Sequence, residues 1–234
     1  MKPKFSTIRN SSAALLAGVL LAGSAQAAIQ VREAALGNGL ASNTLTVPVT
    51  TANIWSGFQT IEVKDTVTNA VSSFDAFCVD PYQYSSSTFT NYTVANLDTA
   101  SFSATVIGNI TKLYNYAYSS TLGPSAAADA NAGALQLALW EVIADSGAVD
   151  LYSGNVKAYN PGTNSALRNA TDTLLSNYGS YSGPNLYNFT LYKSATNQDF
   201  LVATPVPEPE TYALMLAGLG LIGLVARRRK QSAR

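Results

Sequence analysis

The chain has 234 residues, with 14 Lys and Arg against 14 Asp and Glu, one cysteine and no histidine. Lack of histidine excludes His-based triads and general bases and nearly all usual zinc and copper sites. A single cysteine excludes an internal disulfide, and no metal, cofactor or enzymatic activity is expected.

At the N-terminus, Lys2, Lys4 and Arg9 form a positive region ahead of an apolar run from Ala13 to Gly23. Ala25-Gln26-Ala27 then supplies an A-x-A cleavage site. This order predicts a secretory signal peptide over 1–27, cleaved so that the mature chain starts near Ala28. An uncleaved N-terminal anchor is the alternative.

Residues 28–94 read as strands. Thr44 to Thr50 is rich in β-branched residues, and Ile54 to Val67 alternates around Trp55, Phe58, Ile61 and Val63. Phe74 to Val79 is a short run of buried character. Helical spacing follows: Phe102, Val106, Ile110, Leu113 and Ala117 predict a helix over 99–118, capped by Asp98. A second helix is expected over 125–145 behind Pro124, with Gly147 past its end. A third is expected over 164–177. Leu186 to Tyr192 and Asp199 to Ala203 predict a closing hairpin around Ser194-Ala195-Thr196-Asn197. Strands, helices and strands in that order make one α+β domain over 28–204, followed by a proline-rich linker over 205–210.

Residues 211–234 form a membrane-directed tail. Val206-Pro207-Glu208-Pro209 leads into an apolar run from Tyr212 to Ala226, closed by Arg227-Arg228-Arg229-Lys230. The run is about 15 residues, or roughly 22 Å of helix, against a hydrocarbon core of about 30 Å. It is therefore a marginal transmembrane helix, suited to transient residence in the inner membrane, with a permanent anchor as the alternative. The cations hold their end in the cytoplasm and turn the domain outward. This tail resembles the PEP-CTERM sorting signal of Gram-negative envelope proteins, carried here by Pro207, Glu208, Pro209, Arg227, Arg228 and Arg229. The resemblance implies recognition by the membrane protease-transpeptidase exosortase, and delivery to the outer surface or extracellular matrix.

The two signals hold 8 of the 14 cations, so the mature chain keeps 6 cations against 14 acids, a net charge near −8, or −6 if Glu208 and Glu210 leave with the tail. A charge of that sign repels nucleic acid, which is not expected as a partner.

Two short motifs carry candidate chemistry: Phe77-Cys78-Val79-Asp80, and Leu135-Gln136-Leu137-Ala138-Leu139-Trp140-Glu141-Val142. In the second, Gln136, Leu139, Trp140 and Ile143 share a helix face, which sets a primary amide in an apolar stripe with few partners. Attack of the Cys78 thiolate on the Gln136 carbonyl, with loss of ammonia, would leave an internal thioester. That reaction needs prepositioned groups and excluded water. Two ordinary readings stand beside it: Cys78 as a small buried hydrophobe, and Gln136 as a hydrogen-bonding cap on a neighbouring strand.

The motifs resemble those of the thioester domains of Gram-positive surface adhesins. The resemblance implies Cys78 as sulfur donor, Gln136 as acyl donor, and Phe77, Ala138 and Trp140 as supporting positions. It further implies covalent capture of surface amines or hydroxyls, an adhesive role consistent with a biofilm matrix. The alternative function is a non-covalent module for exopolysaccharide, using the tyrosines of 82–92 and 114–118. A thiol hydrolase built on Cys78 is disfavoured by the missing histidine. Asp75, Asp80 and Asp129 show no calcium-loop spacing.

Overall fold

In the computed structural model the described residues are 29–145, 149–159, 164–207, 217–219 and 222, without the side chains of residues 43 and 44. The signal peptide with Ala25 and Ala27, and Glu208, Pro209, Arg227, Arg228 and Arg229 of the tail, lie outside them. Among the described residues no helix is long and apolar enough to cross a membrane.

Four strands come first: β1 (Ile29–Val47), β2 (Thr50–Asp65), β3 (Val71–Cys78) and β4 (Thr90–Ala95). Three helices follow, α1 (Ala104–Ala117), α2 (Ala126–Ala144) and α3 (Ser165–Asn177), and then the hairpin of β5 (Tyr187–Lys193) and β6 (Phe200–Pro205). The element order agrees with the sequence reading. Its topology goes further: the strands close an antiparallel barrel in the order β1-β2-β3-β6-β5-β4. The C-terminal hairpin is the piece that closes it, inserted between β3 and β4.

β1 and β2 form one long hairpin, with register shifts between Glu33 and Ala35, Leu36 and Gly39, and Ser42 and Leu45. Such bulges bend a strand and increase its twist, as closure requires. Gly39 faces Gly57 across this ladder. A Cβ on Gly57 would lie 2.1 Å from the Asn38 carbonyl oxygen, so only glycine permits the approach.

All six strands send a side chain into the barrel, where Val31, Ile61, Ala76, Tyr92, Tyr192 and Phe200 pack together. Alternation along the strands turns Phe58, Phe77, Leu191 and Leu201 the other way, against α1 and α2. The helix α2 is buried on every side from Ala132 to Val142. That corrects the expectation of a single apolar stripe: α2 lies between the sheet and the other helices, so every face needs apolar cover.

Helix boundaries follow their caps. Ser125 Oγ accepts from Ala128 N at the start of α2, and Asn164 Oδ1 accepts from Ala166 N and Leu167 N at the start of α3. The start of α1 differs from the sequence reading. Asp98 caps a separate turn through Ala100 N, and Ser103 caps the helix itself through Val106 N.

Candidate functional site at Cys78 and Gln136

Position on the sheet decides what Cys78 can bond. β3 pairs with β2 as far as Ala76, and with β6 at Phe77 and Cys78. Antiparallel strands turn successive peptide groups to opposite neighbours. Val79 N–H is used on the β6 side, donating to Asp199 O at 2.9 Å. The N–H and C=O of Cys78 therefore face the side that β2 has left.

Gln136 fills that gap. Its Oε1 accepts from Cys78 N at 2.9 Å, and its Nε2 donates to Cys78 O at 2.8 Å. Across 58 residues of chain, one side-chain amide thus continues the ladder as a surrogate peptide. The expectation that Gln136 lacks partners is corrected: two of its hydrogen-bonding positions are met by Cys78 itself. The strand-capping reading and the thioester reading rest on the same contact.

The approach of α2 to the sheet delivers Gln136 there. Ser56 Oγ donates to Gly133 O at 2.8 Å, and a Cβ on Gly133 would stand 2.7 Å from Leu167 Cδ1. Gly133 and Gln136 lie three residues apart on one helix face, so this close seat on β2 points the amide at β3.

Both groups are shut from water, at 1% exposure each. The Cys78 thiol donates to Asp80 O at 3.6 Å and packs against Leu137 and Trp140. Burial raises its pKa well above the ordinary thiol value, with added repulsion from Asp80 and Asp199, so the sulfur is a neutral thiol at pH 7. The Trp140 indole lies close enough to favour the thiolate, but Nε1 makes no hydrogen bond of acceptable geometry.

Among the supporting positions, Phe77 packs on the opposite side of β3 from Cys78, beneath α1 and α2, and Ala138 lies in the same cluster. Trp140 adjoins the cysteine instead. Pro207 is described only as an exposed residue beyond β6.

Glu141 acquires a structural role that its motif did not reveal. Oε1 accepts from Asp150 N at 2.8 Å, while Oε2 is buried with no protein partner. Desolvation, partly offset by that N–H and reinforced by Asp145 and Asp150, pushes its pKa up to about 8 from 4.5. A carboxyl with a raised folded pKa favours folding at low pH and loses that contribution as pH rises through the folded value. Stability should therefore fall by roughly 2–4 kcal/mol between pH 5 and pH 8.5. Asp199, pushed up to about 6, contributes with the same sign at the lower end. Urea unfolding across that range should show the slope, and Glu141→Gln should flatten most of it.

The remaining candidates separate. Asp75 accepts from Thr60 Oγ1, Asp80 orders its own loop through Tyr82 N and Gln83 Nε2, and Asp129 sits in the first turn of α2. No metal-binding cluster occurs among the described residues. Tyr114 and Tyr92 are core residues, donating to Leu201 O and Gln198 O, whereas Tyr82, Tyr84 and Tyr116 are exposed.

No curated protein matches the chain. Among solved structures, it is similar to the N-terminal domain of the Streptococcus pyogenes pilus tip adhesin Cpa, at 16% identity and a TM-score of 0.45, covering 65% of this chain and 86% of that one. It is also similar to the N-terminal thioester domain of a surface protein from Clostridium perfringens, at 13% identity and a TM-score of 0.45, covering 76% and 99%. Residues 205–230 match the PEP-CTERM protein-sorting motif, which indicates an exported, exosortase-processed surface protein.

Proposed function

We propose that the domain is an adhesive or structural module of the envelope surface, in which Cys78 and Gln136 close an internal thioester. What supports this reading is a single contact: the Gln136 carboxamide straddles the one cysteine of the chain in a site closed to water. The Cys78 sulfur attacks the carboxamide carbon, the C–N bond breaks, and ammonia departs with the thiol proton. Prepositioning offsets much of the barrier to such a closure. The buried thioester is then a latent electrophile. A surface amine or hydroxyl adds to the acyl carbon, the S–C bond breaks, and the sulfur regains a proton as the new amide or ester forms at Gln136.

Export by a signal peptide cleaved after Ala27, brief residence in the inner membrane, and sorting by exosortase to the surface or matrix belong to the same proposal. The same two hydrogen bonds favour a second reading, in which Gln136 remains an amide that caps β3. Methylamine separates the two. Exposure of the native chain should place one methylamide at Gln136, mapped by peptide mass, and release a free Cys78 thiol. No label at Gln136, or an equal label in Cys78→Ala, would exclude the thioester.

A further inference from the structure

We infer that residues 149–158 form a strap over the apolar cluster that holds Cys78, and that loss of the Glu141 proton releases it. The strap sends Leu151, Val156 and Ala158, all 0% exposed, into the cluster that contains Cys78, Leu137 and Trp140. Little regular structure retains it. Among the described residues its one strand pairing is the isolated bridge between Lys157 and Thr46 of β1.

The end of α2 holds the strap through carboxyl groups. Glu141 Oε1 accepts from Asp150 N at 2.8 Å. The Asp145 carboxylate accepts from Asn155 N at 2.8 Å and from Val156 N at 3.1 Å, and Ala144 O accepts from Asn155 Nδ2 at 2.9 Å. Gly154, at φ 82°, brings the strap backbone onto Asp145, and a Cβ there would lie 2.6 Å from Asp145 Cγ. The anchor is therefore built for close approach to acids.

Those acids are poorly placed for carrying charge together. Glu141 and Asp145 lie one turn apart at the C-terminal end of α2, where the helix dipole disfavours anions. Asp150 brings a third carboxyl from the strap, and no cation acts on Glu141. The start of α1 offers Asp145 only the uncharged Ser103, Thr105 and Asn109, while Arg168 and Asp172 of α3 meet the chain beyond the strap, at Tyr159. Glu141 is 0% exposed, and its Oε2 has no partner. A proton on that oxygen makes it a donor beside the Asp145 carboxyl, which acts on it through a side-chain hydrogen bond as well as by charge. The protonated pair thus joins the two anchor points of the strap. Ionised, Glu141 is a buried anion against two others, and opening the strap admits water to it at lower cost than unfolding the domain. The raised pKa of Glu141 agrees in sign: the strap is closed at acid and neutral pH and released as pH rises through the folded value.

Trypsin cleavage of the full chain after Lys157 reports opening, because the two hydrogen bonds between Lys157 and Thr46 must part first. The wild-type rate is divided by that of Glu141→Gln at the same pH, which removes the pH dependence of the protease. The ratio should be near unity at pH 6.5 and about tenfold at pH 9. Cleavage after Lys112, within α1, should stay slow at both values. Hydroxylamine with iodoacetamide labels Cys78 whether it starts as a thiol or as a thioester, so a second arm does not depend on that bond. Its ratio of wild type to variant should rise in parallel. Circular dichroism checks that Glu141→Gln is folded; if it is not, amide-exchange protection of Val156 and Ala158 in wild type takes its place, with the same loss of about tenfold between pH 6.5 and pH 9. A flat ratio overturns the proposal, as does Lys112 cleavage that rises with Lys157 cleavage, the mark of global unfolding. A Lys157 ratio that rises without Cys78 labelling also overturns it, since the strap would then cover something other than Cys78.

Discussion

Replacing Gln136 with leucine is expected to lower stability by about 2–5 kcal/mol, although leucine is more apolar and of similar size. The leucine would leave Cys78 N–H and Cys78 O buried and bare at the place where β2 has left the ladder. Each unsatisfied group costs about 1–3 kcal/mol, and burial of the larger apolar surface recovers only part of that. Denaturant unfolding of Cys78→Ala with and without the Gln136 change, a background in which no thioester can consume the amide, measures the difference. A loss below about 0.5 kcal/mol would show that water or a shifted backbone meets these groups, and that the surrogate-peptide contact is dispensable.

Phe77→Ala is expected to cost about 3–5 kcal/mol. Phe77 is 1% exposed and meets three rings edge-on: Phe58 at 6.0 Å, Tyr114 at 5.9 Å and Tyr118 at 6.2 Å. These contacts join β2, β3 and α1 to the 3-10 turn after it, so the cavity left by alanine cannot collapse without moving several elements. Because Phe77 precedes Cys78 and pins the opposite face of β3, the variant should also loosen the hold of Gln136 on Cys78. Faster native-state exchange of the Cys78 amide hydrogen would report that. Phe77→Leu, which keeps most of the volume, should cost less than half as much. Equal losses for the two variants would contradict the edge-on packing as the source of the effect.

Local signals in the sequence carried well into the structure where the determining contacts are also local. The second and third helices lie within a residue of their expected ends because Ser125 and Asn164 cap them directly. The first helix starts later than expected because Asp98 and Ser103 both offer capping side chains, and only the packing of the intervening turn decides between them. Barrel closure was not legible. It depends on β1 meeting β4 and β3 meeting β6, pairings between segments far apart in the chain.

The candidate site divides in the same manner. The Phe-Cys and Gln-x-Ala-x-Trp motifs name the residues that the fold brings together. A strand cap by Gln136 was among the readings, but its place at Cys78 was not legible, because the gap it fills exists only where β2 leaves β3 after Ala76, a feature of topology and not of composition.

The intact mass of the exported, processed chain bears most directly on the Cys78–Gln136 chemistry. With the thioester closed, the chain is lighter by one ammonia than its processed sequence, Cys78 resists alkylation until denaturation, and Cys78→Ala has the full mass of its own sequence. A wild-type chain of full mass, with Cys78 alkylated once unfolded and no ammonia lost at any stage, would contradict it and leave Gln136 as the cap of β3.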